Sequence, residues 1–230
     1  MNVFMRKLML PWLFICWHLS SFSQTPVVMQ QKEFTMLCLG DSYTIGEGVE
    51  EAERFPNQCV MQLHLKGIFV DKPKIIATTG WTTDELMSAI QKENISRTYD
   101  FVTLLIGVNN QYRGRSTENY ENEFAQLLGL DIRFSFGNKN HVIVLSIPDW
   151  GVTAFAEGRN RHQIAGEIDA YNAVNKEESL RRGVHYIDVT TSTRQHPDWV
   201  VSDGLHPDAR EYEVWAAQLT RIIQSEAQTK

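Results

Sequence analysis

The chain has 230 residues at a formal net charge of −6, with 43% hydrophobic, 10% aromatic and 22% charged residues. That acidic balance excludes nucleic acid as a principal partner, because a phosphate backbone calls for a basic face. The aromatic content, beside only 14 glycines and 7 prolines, excludes disordered and collagen-like chains, and the length suffices for a core without metal or disulfide staples.

Residues 1–23 differ from the rest. Arg6 and Lys7 precede a twelve-residue apolar run, Leu8 to Leu19, and Ser21 and Ser23 supply small residues ahead of Gln24. This order predicts a secretory signal peptide cleaved near Ser23/Gln24, and with it a periplasmic or extracellular protein. The run is shorter than the ~20 residues that span a bilayer, so no integral membrane segment is expected once the leader is removed. A retained anchor is the alternative. Removing 23 of the 230 residues leaves a domain of 207, residues 24–230, and takes two cations with it, so −6 becomes −8. Of the cysteines, Cys38 and Cys59 stay; an oxidising compartment permits a bridge, but two buried thiols are the simpler expectation at this size.

Through the mature chain, short apolar runs alternate with helix-period segments. Phe34–Gly40, Lys74–Thr78, Phe101–Gly107, Val142–Ile147 and His185–Val189 read as strands, and their near-continuous apolarity predicts a parallel sheet covered on both faces. Pro56 opens a helix to about Leu65, and Thr82 with Glu85 forms a capping box for the next. Tyr120, Phe124, Leu127 and Leu128 mark a third helix, Ile164, Ile168 and Tyr171 a fourth, and Trp215, Leu219, Ile222 and Ile223 the last. Five strands alternating with five helices predict one three-layer α/β/α domain with right-handed crossovers. In such sheets ligands bind at the carboxyl ends of the strands.

Four motifs stand at those ends. The first strand runs into Gly40-Asp41-Ser42, where a serine past a parallel strand is placed as a nucleophile; the same tripeptide is also ordinary turn composition. The second ends at Gly80, whose backbone permits close approach of a substrate. The third ends in Gly107-Val108-Asn109-Asn110; the Asn109 amide suits a developing oxyanion, and an Asx turn is its ordinary alternative. Ahead of the last helix, Asp203 and His206 stand three apart, a spacing at which the carboxylate fixes the imidazole tautomer. Asp208 is the competing candidate as helix cap. Ligand spacing for a metal is absent, and no metal or organic cofactor is expected.

Gly-Asp-Ser, then Gly, then Gly-x-Asn, then Asp-x-x-His, in this order over about Phe34 to Pro207, resembles the SGNH hydrolases, also called GDSL esterases and lipases. The resemblance implies a five-stranded parallel sheet in flavodoxin-like order. It also implies a catalytic Ser42, His206 and Asp203, and an oxyanion hole formed by the N–H groups of Ser42 and Gly80 and the side chain of Asn109. One position departs: the third block is usually Gly-x-Asn-Asp, and Asn110 replaces the aspartate.

The expected activity is hydrolysis of carboxylic esters through an acyl-enzyme, falling with acidification because the histidine must be neutral to act as base. The expected partner is a small-molecule or carbohydrate ester. Trp81, Asn110 and Trp150 adjoin strand ends as candidate substrate contacts, against the ordinary role of such aromatics in packing. The 149–160 loop, with Trp150, Phe155, Glu157 and Arg159, and the stretch carrying Tyr112, Arg113 and Arg115 are candidates to shape the pocket. The absence of an extended apolar lid favours short acyl groups, acetyl on carbohydrate among them. A lysophospholipase or thioesterase on the same machinery is one alternative, and a catalytically silent binding module is another.

Overall fold

The computed structural model describes residues 33–229 together with Met1; the expected leader and its cleavage point lie outside the described residues. Among the described residues seven strands form in chain order: β1 Glu33–Phe34, β2 Met36–Gly40, β3 Phe69–Val70, β4 Lys74–Ala77, β5 Phe101–Leu105, β6 Val142–Leu145 and β7 His185–Ile187. Five build one parallel sheet in the order β4-β2-β5-β6-β7, the flavodoxin-like arrangement, while β1 and β3 form a separate parallel pair. Strands β2, β5 and β6 are buried along their whole length, as both-face coverage demands.

The stretch expected as one strand from Phe34 is two. Thr35 interrupts it because the Asp100 carboxylate takes both its N–H and its hydroxyl, each at 2.9 Å. The other strands end one or two residues early, where the chain turns toward the helices.

Helices α1 Ser42–Ile45, α2 Phe55–Leu65, α3 Thr83–Glu93, α4 Val108–Tyr112, α5 Thr117–Phe134, α6 Arg161–Arg182, α7 Thr190–Gln195 and α8 Ala209–Gln228 complete the unit. The paired α2 and α8 cover one face, and α3, α5 and α6 form the other layer. Cys38 and Cys59 are buried free thiols whose pKa values burial pushes up to about 12, and the Thr220 hydroxyl donates to Cys59 Sγ.

Register fixes the site. Gly40 lies opposite Ala77 on one side and Leu105 on the other, so three strands finish level. Ser42, Gly80 and Asn109, two to four residues beyond those ends, therefore emerge along one edge of the sheet. Gly40 itself admits no side chain: a Cβ there would fall 2.1 Å from Thr44 Oγ1 and 2.4 Å from the Leu105 carbonyl oxygen.

Candidate active site

Asp41 caps α1, its Oδ1 accepting the Tyr43 N–H at 3.1 Å, and Ser42 is the first helical residue. The Ser42 N–H is thus one of those a helix leaves without an internal acceptor. Asp41 is fully buried with Oδ2 unpartnered, and burial pushes its pKa up to about 7 against the pull of the Tyr43 N–H.

Gly80 holds a left-handed φ of 86°, which glycine alone takes without strain. Arg113 fixes it from outside, donating from Nη2 to the Gly80 carbonyl at 2.6 Å and from Nη1 to Glu85 at 3.0 Å. Glu85 also completes the expected capping box on Thr82. Asn109 spends one amide hydrogen on the Trp81 carbonyl at 2.9 Å, which orients its NH₂ group and leaves the second hydrogen for a ligand.

His206 is anchored from several directions. Its Nδ1 lies 2.6 Å from Asp203 Oδ2, while Asp203 Oδ1 accepts the backbone N–H groups of His206 and Leu205 at 3.0 and 2.8 Å. Partial burial alone would raise the Asp203 carboxyl, but these bonds outweigh it and hold its pKa below the ordinary value. A carboxylate only accepts, so the neutral ring carries its proton on Nδ1 and presents Nε2 as acceptor. The ring also packs edge-on against Tyr43 with centroids 5.7 Å apart, which ties it to the residue following Ser42. Asp208 caps α8 instead, accepting from Arg210 N at 2.9 Å and Glu211 N at 3.4 Å.

These groups meet at one cavity of about 190 Å³, lined by Ser42, Gly80, Asn109 and His206 together with the rings of Tyr112, Trp150 and Phe155. Trp150 is held by its indole N–H, which donates to Gln111 Oε1 at 2.8 Å, and Gln111 in turn donates to Glu167 at 2.6 Å. The loop carrying Trp150 starts at the buried Asp149, ion-paired to Arg194 at 2.8 Å.

Two expected contacts are corrected. Asn110 does not line the cavity: it is fully buried, accepts the Thr83 N–H at 3.1 Å and donates to the Thr83 hydroxyl at 2.6 Å. It joins α4 to the start of α3, and an amide does this where a carboxylate lacks the donor. Trp81 also lies outside the lining; it packs against the core and lends Asn109 its carbonyl. Tyr43, Thr79, Val108 and Leu205 complete the lining and went unread in the sequence, because nothing in their spacing distinguishes them from core or turn residues. The remaining described histidines stand elsewhere: His64 on the Val70 carbonyl, His141 on Phe101, His162 exposed on α6, His185 on Glu226 and His196 stacked on Trp199.

A parallel α/β/α sheet that brings a serine, a glycine, an asparagine and an aspartate-held histidine to one cavity defines a hydrolase of the SGNH class. The profile of the GDSL-like lipase/acylhydrolase family matches residues 38–214, and the chain belongs to that family of carboxylic ester hydrolases. No curated protein matches it. Among solved structures, the chain is similar to the lipase/acylhydrolase from Enterococcus faecalis, with a TM-score of 0.66 at 21% identity over 84% of this chain and 96% of that one. For the acetylxylan esterase Axe2 from Geobacillus stearothermophilus the values are 0.63, 17%, 83% and 94%. For the psychrotrophic esterase EstA from Pseudoalteromonas sp. they are 0.64, 12%, 85% and 100%. At these identities the likeness establishes the fold.

Proposed function

We propose that the protein is an exported serine esterase that hydrolyses short-chain esters, acetyl groups on a carbohydrate or other small alcohol among them, by a Ser42-His206-Asp203 acyl-enzyme mechanism. The observation that carries this reading is the convergence of Ser42, Gly80, Asn109 and His206 on a single small cavity. In the first step His206 Nε2 takes the Ser42 proton as Oγ bonds to the ester carbonyl carbon. The carbonyl oxygen becomes an oxyanion received by the Ser42 and Gly80 N–H groups and the Asn109 amide. The imidazolium, stabilised by Asp203, returns that proton to the alcohol oxygen as the carbon–oxygen bond breaks. Water then repeats the cycle: His206 takes a proton from it, its oxygen attacks the acyl carbon, and the acid leaves as Ser42 regains its hydrogen. No step uses a metal or organic cofactor.

Cavity size and lining support short acyl groups. About 190 Å³ is below the roughly 300 Å³ at which pockets for drug-sized ligands begin, and three aromatic rings are part of the wall. The name of the Geobacillus stearothermophilus neighbour, an acetylxylan esterase, agrees with an acetyl substrate. The charge order of residues 1–23 supports export. The test is a series of 4-nitrophenyl esters with acyl chains from two to twelve or so carbons. The expected outcome is kcat/KM highest at acetyl to butyryl; a maximum at long chains would replace this reading with a lipolytic one.

A further inference from the structure

We propose that Arg159 is a specificity-determining residue that selects esters whose alcohol part carries an anionic oxygen group, a carboxylate, sulfate or phosphate; this rests on the ester-hydrolase reading of the Ser42 site. The Arg159 guanidinium lies over three rings at once, 5.3 Å from the centroid of Tyr112, 5.3 Å from that of Trp150 and 5.1 Å from that of Phe155. The same three rings line the cavity, so the cation sits at its mouth. The rings also contact one another, with centroids 5.5 to 6.4 Å apart, and form one platform. Stacked on it, the arginine keeps little freedom that binding must still remove.

Arg161, two residues on, is taken up by the Val152 and Thr153 carbonyls, and other arginines have acidic partners. Arg113 pairs with Glu85, Arg115 with Asp84, and Arg194 with Asp149 and Asp169. Arg159, among the described residues, pairs with no carboxylate. Its one side-chain hydrogen bond runs from Nη2 to the Tyr112 hydroxyl at 3.2 Å, so Nε and Nη1 keep their donors. An unpaired, pre-positioned guanidinium with free donors is the group that receives an oxyanion in forked geometry. On a chain of net charge −6 it also supplies the local attraction that an anionic substrate otherwise lacks.

The direction of binding follows from exposure. The small aromatic-walled recess takes the acyl group, whereas Arg159 is exposed and stands outside the lining. It therefore meets the part of the ester that projects from the mouth, the alcohol.

The experiment compares kcat/KM for 4-acetoxybenzoate and its neutral methyl ester, in the wild type, Arg159→Gln and Arg159→Lys. The quantity read is the anionic-to-neutral ratio of each variant relative to wild type, in which the differing reactivities of the two phenols cancel. The expected result is a ratio about tenfold lower in Arg159→Gln, carried by KM rather than kcat, with much of it restored in Arg159→Lys. Raising the salt concentration should lower the wild-type ratio and leave that of Arg159→Gln nearly constant. A ratio unchanged in Arg159→Gln overturns the proposal, as does an equal loss on both esters, which would mean that the arginine only props the rings. Failure of the parent reading looks different: hydrolysis of neither ester would depend on Ser42.

Discussion

Asp203 grips His206 at two places, its Oδ2 2.6 Å from the ring Nδ1 and its Oδ1 3.0 Å from the backbone N–H of the same residue. One carboxylate thus sets both the position of the histidine backbone and the tautomer of its ring. The Asp203 side chain remains 42% exposed, so water shares in stabilising its charge.

Asp203→Asn keeps the shape but offers the ring an amide that can donate, which permits the wrong tautomer. The expected loss in kcat is between about 10² and 10⁴-fold, with little change in KM. Steady-state kinetics on 4-nitrophenyl acetate check this; a loss under about fivefold would leave the pair without a catalytic role.

Asn109 and Asn110 are adjacent in sequence and opposite in effect. Asn109→Ala should reduce kcat by about 10²–10³-fold as the oxyanion loses a donor. Asn110→Ala strands the buried Thr83 N–H, while the Thr83 hydroxyl keeps its bond to Glu123, and should cost about 1–3 kcal/mol of stability, with a much smaller change in kcat. Chemical denaturation and kinetics on both variants separate the two roles.

Gly40→Ala should be severely destabilising, because the added methyl meets the Leu105 carbonyl, backbone that cannot rotate away. Overpacking costs about 1–3 kcal/mol where neighbours yield. Here the expected loss is at the top of that range or beyond, read as a lowered denaturation midpoint.

Asp41 gives stability a pH dependence of known sign. Its folded pKa, raised to about 7 by burial, lies above the ~3.9 of an unfolded aspartate. Between those values the folded state holds the extra proton, so this group's contribution to stability falls as pH rises from about 4 to 7. The buried, unpartnered Asp131, its pKa also raised by burial, acts in the same direction. Asp41→Asn should therefore lose less stability than wild type across that interval, as measured by urea denaturation at pH 4.5 and 7.

Much of this arrangement was legible in the sequence because each catalytic candidate sits within a few residues of a strand end. A parallel sheet levels those ends whatever the helices between them do. Asp203 and His206 lie within one turn, so spacing alone announces their contact. Trp150, Gln111 and Glu167 form one chain of hydrogen bonds yet are 39 and 56 positions apart in successive steps, and no local pattern reports such a pairing. Helices α1, α4 and α7 are only four to six residues long, too short for a hydrophobic period to show. Asn110 misled for a related reason: adjacency to Asn109 places it in the site along the chain, while the helical turn of α4 carries its side chain inward to Thr83.

The central claim is that Ser42 Oγ is the nucleophile, and the most direct measurement is hydrolysis of 4-nitrophenyl acetate by purified, folded Ser42→Ala. The account predicts a fall in kcat/KM of at least about 10⁴-fold, leaving a small residue of activity over water from the oxyanion donors. Undiminished hydrolysis by that variant would contradict it.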